Sequence, residues 1–287
     1  MAATRWPAPA KLNLFLHVVG RRPDGYHLLQ TLFQLLDRGD ELEIEVRDDG
    51  RIVRSRAPDG VPEDEDLTLR AARALQRATG TTRGATIGLT KRIPVGGGLG
   101  GGSSDAATVL VALDAMWGCG LGTDALAALG LDLGADVPVF VRGRTAWAEG
   151  IGERLTPVET PPRAFLVLDP GARIATATIF QAPELTRDSA PTTIPRFFAG
   201  APTRNDLEPV VRSRSEAVAD ALDWLGARAP ARLTGSGGCV FAAFERIEAA
   251  ERIAAECPDR FRAFVARGVG ESPLIVAVRK WKEEQSG

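Results

Sequence analysis

The chain has little cysteine, histidine and tyrosine for its length: 287 residues contain three Cys, two His and one Tyr. Cys119, Cys239 and Cys257 are odd in number and share no metal-ligand spacing, so neither a disulfide framework nor a zinc site fits the pattern. Each cysteine lies among apolar residues, which predicts three buried thiols in a reducing compartment. We therefore expect a cytoplasmic protein.

The sequence also lacks an excess of charge of one sign and a long hydrophobic run. Lys and Arg number 35 against 37 Asp and Glu, mixed along the chain, so no basic face indicates nucleic acid or an anionic membrane as a partner. The apolar residues 12–19 are interrupted by Asn13 and His17, and residues 109–121 contain Asp114. We expect neither a secretory signal nor a membrane span.

Length and a hydrophobic content of 44% favour a globular protein of two modest domains or one large one, and the alternation of strand and helix patterns after residue 231 suggests an α+β second lobe. The proline-rich residues 157–162 predict the boundary, which gives domains at 1–155 and 156–287. The patterns predict strands at 10–19 (half-buried), 85–90, 165–168, 239–244 and 261–266, and two hairpins, of 41–46 with 51–56 and of 145–149 with 153–158. They predict helices at 66–79 (ended by Gly80), after residue 103, at 124–130 (short), across Val218 to Leu225 and at 245–257. Residues 188–203 are predicted to be irregular.

A glycine cluster at residues 96–102 is the most distinctive stretch of the sequence. Six glycines in seven positions leave the backbone N–H groups bare, and the cap-type residues Ser103, Ser104 and Asp105 follow at the start of a helical pattern. A glycine loop that enters a helix N-terminus is suited to bind phosphate.

Common nucleotide loops fit this cluster poorly. Gly96, Gly98 and Gly101 match the dinucleotide fingerprint, but no second strand precedes the acidic Asp124 that the fingerprint requires. The P-loop pattern fails because Ser103 stands where its lysine belongs. A nucleotide triphosphate bound by another kind of glycine loop is favoured over an empty turn.

Candidate chemical groups lie on three other segments, each with a plain structural alternative. Lys11 and Asn13 share one face of a strand and point either to a ligand or to water. Tyr26 and His27 follow a tight turn, and they are either residues of a recognition loop or ordinary surface residues. Asp136 stands two residues before a proline, which is also typical of a helix N-cap.

Four motifs together resemble the superfamily of galactokinase, homoserine kinase, mevalonate kinase and phosphomevalonate kinase: residues 9–14, 94–107, 133–140 and 234–237. Within that superfamily, residues 25–27, the glycine run and residues 134–138 resemble the 4-diphosphocytidyl-2-C-methyl-D-erythritol kinases of the non-mevalonate route to isoprenoid precursors. The resemblance implies a two-lobed small-molecule kinase fold. Its N-terminal lobe would combine a mixed sheet with helices, its C-terminal lobe would be ferredoxin-like, and the active site would lie in the cleft between them.

The resemblance also implies roles for residues, with ATP and Mg²⁺ as cofactors. Asp136 would take the proton of a substrate hydroxyl, and Lys11 would keep that carboxylate ionised and offset phosphoryl charge. Asn13 would position the substrate, Tyr26 and Phe180 would stack on cytosine, His27 would hydrogen-bond its polar edge, Thr176 would contact the substrate, and Ser236 and Gly237 would let the second glycine loop approach the ligand. Ser103 or Ser104 would lie near Mg²⁺. The ATP phosphates would be bound by Pro94, Val95, Gly96, Gly97, Gly98, Leu99, Gly100, Gly101, Gly102, Ser103 and Ser104.

Two alternatives remain at this point. One is another small-alcohol kinase of the homoserine or mevalonate type, against which the aromatic Tyr26 beside His27 argues. The other is a nucleotide-binding regulator without transfer activity, which would need the glycine loop but no Lys11–Asp136 pair. The expected partners are ATP and a small cytidylyl substrate, and the chain is expected to be a monomer or a homodimer.

Overall fold

A computed structural model describes residues 3–56 and 61–286, and these residues contain ten strands and ten helices. The strands are β1 (Thr4–Arg21), β2 (His27–Arg47), β3 (Ile52–Arg56), β4 (Gly84–Thr90), β5 (Ala146–Gly150), β6 (Arg154–Pro157), β7 (Ala164–Asp169), β8 (Ala231–Leu233), β9 (Val240–Phe244) and β10 (Arg262–Val269). The helices are α1 (Leu67–Thr79), α2 (Gly101–Trp117), α3 (Thr123–Leu131), α4 (Val137–Arg142), α5 (Thr176–Phe180), α6 (Ile194–Phe198), α7 (Glu208–Arg214), α8 (Glu216–Gly226), α9 (Ile247–Ala255) and α10 (Pro273–Ser286).

The first lobe is built on the long strand β2, which pairs antiparallel with β1, β4 and β5. Helix α2 packs on this sheet with most of its side chains buried on all sides, as expected for a helix inside a core. The predicted helix at 66–79 is confirmed as α1. Asp66 caps its N-terminus by accepting the N–H of Thr68, and Gly80 ends it in the left-handed conformation.

Strand β1 is buried on both faces, so the prediction of a half-buried strand is wrong. Leu12 and Leu16 of one face and Lys11 and Phe15 of the other are all buried. The reason is tertiary: β1 passes from the core of the first lobe into that of the second, where Leu16 packs against residues of β7 and α8. Alternation in the sequence shows two faces but not what covers the second one.

The predicted hairpin of residues 41–46 and 51–56 is also wrong. Strand β4 lies between β2 and β3, pairing antiparallel with β2 and parallel with β3. The apolar Ile87 and Leu89 suit β4 to the interior position, whereas Arg54 and Arg56 suit β3 to the edge of the sheet. The second predicted hairpin is confirmed as β5 and β6, which pair from Ala146↔Pro157 to Glu149↔Arg154.

The second lobe has the ferredoxin-like arrangement that was predicted. The chain runs β7, α8, β8, β9, α9, β10, with shorter helices between β7 and α8, and its strands lie in the order β10-β7-β9-β8. Residues 188–203 were predicted to be irregular, and they contain the one-turn helix α6, capped by Thr193.

The two lobes share one sheet, because β10 pairs with β2 through Gly268↔Leu36 and Val269↔Leu35. Helix α10 then packs Leu274 and Val278 into the core of the first lobe. The division at residues 155 and 156 stays a prediction.

A further expectation concerns the burial of the cysteines. Cys239 is buried, as predicted, but Cys119 and Cys257 are partly exposed; all three lie in described residues and none is paired. Among the described residues, no helix is both long and apolar enough to cross a membrane.

Candidate active site

The glycine loop leads directly into helix α2. Gly96, Gly98 and Gly100 adopt positive φ angles of 76°, 79° and 72°, which L side chains rarely tolerate. Helix α2 begins at Gly101, earlier than the cap-type residues suggested, and its N-cap Gly100 provides no side-chain cap. The first N–H groups of α2 are therefore available to an anion. They border a cavity of about 390 Å³ lined by residues 94–103 together with Lys91 and Asp105.

The second glycine loop packs backbone to backbone against the first. The N–H of Cys239 donates to the carbonyl of Gly97 at 3.1 Å. A Cβ on Gly98 would lie 2.1 Å from the carbonyl oxygen of Thr234, and one on Gly237 would lie 2.1 Å from the nitrogen of Gly98. Gly237 thus supports the first loop, whereas the sequence predicted that it lets the second loop approach the ligand.

Lys11 connects the glycine loop to Asp136. Its Nζ donates to the carbonyl of Gly98 at 3.1 Å and to Oδ1 of Asn13 at 2.6 Å, and it lies 3.2 Å from Oδ2 of Asp136. The Lys11 side chain is only 4% exposed, while that of Asp136 is 32% exposed. The ammonium group of Lys11 is therefore held among buried partners, whereas the carboxylate of Asp136 remains partly exposed and open to a ligand.

Asp136 stands at the N-terminus of α4 but does not cap it with its side chain. Its backbone is already helical, and its carboxylate makes no cap hydrogen bond. The N-cap alternative therefore does not account for the side chain.

A second cavity of about 760 Å³ adjoins the first, and Ser103 lines both. It brings together most of the predicted substrate and catalytic residues: Lys11, Asn13, Tyr26, His27, Asp136, Thr176, Phe180 and Ser236. Thr176 and Ser236 are hydrogen-bonded to each other at 2.7 Å, which joins α5 to the second glycine loop. Ser104, by contrast, is fully buried in α2 and lines neither cavity.

Three rings, those of Tyr26, His27 and Phe180, line this second cavity. Phe180 packs on His27 with ring centroids 5.0 Å apart, and Tyr26 is 61% exposed. Burial, together with the cations Arg187 and Arg21, lowers the pKa of His27, so the neutral imidazole is favoured.

Sequence reasoning missed an ionic triad at the wall of the first cavity. Lys91 Nζ binds Oδ2 of Asp40, and lies 2.9 Å from Oδ2 of Asp105. Burial tends to lower the pKa of Lys91, but the two carboxylates outweigh it and raise the pKa. Burial also raises the pKa of Asp105, to about 7, against the opposing effect of Lys91. Lys91 and Asp105 flank the glycine run in the sequence, and this position was a signal that could have indicated them. Nothing near Asp40 in the sequence indicated that it pairs with Lys91.

Comparison with known proteins shows the family to which the chain is related. The sequence models described as GHMP kinases N terminal domain and GHMP kinases C terminal match residues 66–144 and 197–263. The 4-diphosphocytidyl-2-C-methyl-D-erythritol kinase of Alkalilimnicola ehrlichii is 62% identical over 96% of this chain and 94% of its own length. That of Halorhodospira halophila is 58% identical over 94% of each chain.

Solved structures show the same relationship. A crystal structure of 4-(cytidine 5'-diphospho)-2C-methyl-D-erythritol kinase is 36% identical, covers 93% of this chain and 100% of its own, and superposes with a TM-score of 0.81. Homoserine kinase from Cytophaga hutchinsonii is 17% identical over 95% of this chain and 96% of its own, with a TM-score of 0.68, and shows the fold alone.

The fold and the cleft define a GHMP kinase, a phosphotransferase with an alcohol as acceptor. Within that class, the chain belongs to the family of 4-diphosphocytidyl-2-C-methyl-D-erythritol kinases. The predicted family, the two-lobed fold and the use of ATP by a small-molecule kinase are confirmed, and a regulator without transfer activity is not supported.

Proposed function

We propose that the cleft transfers the γ-phosphoryl group of ATP to the C2 hydroxyl of 4-diphosphocytidyl-2-C-methyl-D-erythritol, in the non-mevalonate route to isoprenoid precursors. The observation that carries this proposal is the position of Lys11. Its ammonium group contacts the phosphate-facing loop through the Gly98 carbonyl and the substrate cavity through Asp136. A transferring phosphoryl group must pass between those two cavities.

Asp136 is the proposed general base. Its carboxylate accepts the proton of the C2 hydroxyl while that oxygen attacks the γ-phosphorus, and ADP leaves with the electrons of the broken bond. Lys11 balances the carboxylate and the charge on the equatorial phosphoryl oxygens. The open N–H groups of the α2 N-terminus hold the phosphates of ATP in line.

The substrate end is proposed to bind the cytidylyl group. Tyr26 and Phe180 line the larger cavity with aromatic rings, His27 adds a polar ring, and Thr176 lines it from the second lobe. Asn13 is held by Lys11 and by the hydroxyl of Thr31, to which its amide donates at 2.9 Å. These groups suit a nucleobase better than the short aliphatic alcohols of the rival kinases.

Mg²⁺ fits this site as a companion of ATP. The described residues contain no cluster of three or more His, Cys, Asp or Glu that would hold a metal by itself, so phosphate oxygens would supply most ligands. Ser103 offers a hydroxyl oxygen, a hard ligand, at the wall common to both cavities, whereas the buried Ser104 does not reach them. When bound, Mg²⁺ would neutralise phosphate charge. The cytoplasm, as the proposed compartment, supplies ATP and keeps the unpaired thiols reduced.

The proposal is tested with Asp136→Asn in a coupled ADP-release assay. We expect kcat to fall by about 10² to 10⁴, as for loss of a general base, with the Kd for ATP unchanged. Asp132→Asn is the matched control, because Asp132 is an exposed carboxylate just before the same segment. Turnover of Asp136→Asn near that of the control would remove the base assignment. Faster phosphorylation of homoserine or mevalonate than of the cytidylyl substrate would overturn the proposed choice of substrate.

A further inference from the structure

Arg187 connects the elements that carry His27 and Phe180, two of the rings that line the second cavity. Its guanidinium donates to the carbonyls of Phe180 at 3.0 Å, Ala182 at 2.7 Å and Leu185 at 3.0 Å. Its Nε donates to Nε2 of His27 at 3.2 Å. One side chain therefore fixes the turn after α5, which carries Phe180, and the start of β2, which carries His27.

The chemistry of this contact determines the tautomer of His27. A guanidinium has five N–H donors, no acceptor, and stays protonated in proteins. The Nε2 atom that faces it must therefore accept, so the ring proton lies on Nδ1. Among the described residues, Nδ1 makes no hydrogen bond, and the face of the ring is packed by Phe180.

The charges around His27 favour the same state. Arg187 faces it from the loop after α5 and Arg21 from the end of β1, while Asp24, paired with Arg22, lines the same cavity. Burial and the two arginines oppose an imidazolium. The ring is thus neutral, with one acceptor already used and one donor free.

We propose that Arg187 is a positioning residue that presents His27 to the substrate as a neutral imidazole protonated on Nδ1, and hence as a hydrogen-bond donor. This rests on the proposed function, because a donor at this place complements the acceptor atoms of a cytidylyl diphosphate. The same arginine keeps Phe180 against His27. Nucleotide recognition therefore depends on a residue that does not line the cavity.

Arg214 provides a matched control. It holds the same segment from the other side, donating to the carbonyl of Thr178 at 3.2 Å and to Glu184 at 2.7 Å, but it has no contact with His27. A general loosening of α5 and the following turn would appear in Arg187 and Arg214 variants alike. Loss of tautomer control would appear only in the Arg187 variants.

The first test is ¹⁵N NMR of the ligand-free protein labelled at histidine, since the chain contains only two histidines. The His27 signals are identified by their absence in His27→Gln. In the wild type we expect a protonated Nδ1 and an unprotonated Nε2, and in Arg187→Gln a mixture of tautomers. Arg214→Gln should match the wild type. A wild-type His27 protonated on Nε2, or an unchanged pattern in Arg187→Gln, would overturn the proposal.

The second test is a comparison of KM values. Arg187→Gln should raise KM for the cytidylyl substrate about tenfold, because a tenfold change corresponds to the loss of one charge-assisted or well-oriented hydrogen bond. The KM for ATP should change little. Arg187→Met, which keeps a long side chain but has no N–H donor, is a second variant if Arg187→Gln does not fold, and the same criterion applies to it. An equal rise in both KM values contradicts the positioning role. Failure of the proposed function would appear instead as a wild-type enzyme inactive on the cytidylyl substrate, with the NMR result unaffected.

Discussion

At the scale of single residues, the glycine loop lies between Lys11 and Lys91, two lysines whose charges have different partners. Lys11 lies between the glycine loop and the partly exposed carboxylate of Asp136, where the proposed transfer would develop charge. Lys91 is held by Asp40 and Asp105, so its charge is already compensated. The second lysine stabilises the junction of β4, the loop and α2.

Asp105 is expected to make stability depend on pH. Burial raises its pKa from 3.8 to about 7, so between these values the folded protein binds more protons than the unfolded chain. The free energy of unfolding therefore falls as pH rises from 4 through 7. Asp105→Asn, which resembles the protonated form, should melt several degrees higher than the wild type at pH 8 and nearly equally at pH 4.

Asp40→Asn is the control for this prediction. Asp40 also accepts the backbone N–H groups of Arg92 and of Ile93, the latter at 2.8 Å, so its replacement should lower the melting temperature at both pH values. A melting temperature of Asp105→Asn at or below the wild type at pH 8 would contradict the assigned direction.

At the scale of elements, the first glycine loop is supported by a second loop from the other lobe. Gly97 and Gly98 contact residues 234–239 through backbone atoms, with no room for side chains at the crossing. The absence of side chains in the first glycine run therefore permits this contact on one side, and on the other side it leaves the backbone open to the cavity proposed to hold phosphate.

We predict that Gly237→Ala separates the two loops. The new Cβ would lie 2.1 Å from the nitrogen of Gly98 and 2.3 Å from the carbonyl carbon of Gly97, so backbone must move. Overpacking of this kind costs about 1–3 kcal/mol or more. We expect a lower melting temperature and a raised KM for ATP, measured by thermal unfolding and ADP release.

Gly226→Ala at the end of α8 is the matched control, since nothing lies within 4 Å of its added Cβ. It should leave stability unchanged or slightly raised. If Gly237→Ala behaves in the same way, the close packing of the loops is not needed for ATP binding.

At the scale of the whole molecule, the lobes are joined by more than their cleft. Strand β10 continues the first-lobe sheet into the second, and α10 returns to pack on the first lobe, with Trp281 and Trp6 rings 6.0 Å apart. Unfolding either lobe would expose surface of the other. We expect the chain to unfold as one unit.

Leu274→Ala tests this coupling. Leu274 is fully buried in the first core, so its truncation should lower the free energy of unfolding by about 2–5 kcal/mol. Denaturant unfolding followed by fluorescence and by circular dichroism should still give one coincident transition. Val276→Ala on the same helix is the control, because Val276 is 45% exposed. Two separate transitions in the wild type would contradict a single cooperative unit.

The sequence by itself determined the features that depend on local chemistry. Glycine is the residue that readily adopts the positive φ angles found at Gly96, Gly98 and Gly100, and Asp66 with Gly80 marks both ends of α1. Lys11 and Asn13 were placed together because a strand has a period of two. The family resemblance then supplied the fold and a role for each motif.

Only the tertiary structure decided which distant groups meet. No local signal indicated that Lys11 contacts Asp136, that Asp40 joins Lys91 and Asp105, or that Arg187 holds His27, because each of these contacts joins side chains from separate elements. The insertion of β4 between β2 and β3 is of the same kind, since strand pairing selects the partner that buries the most apolar surface rather than the nearest in sequence.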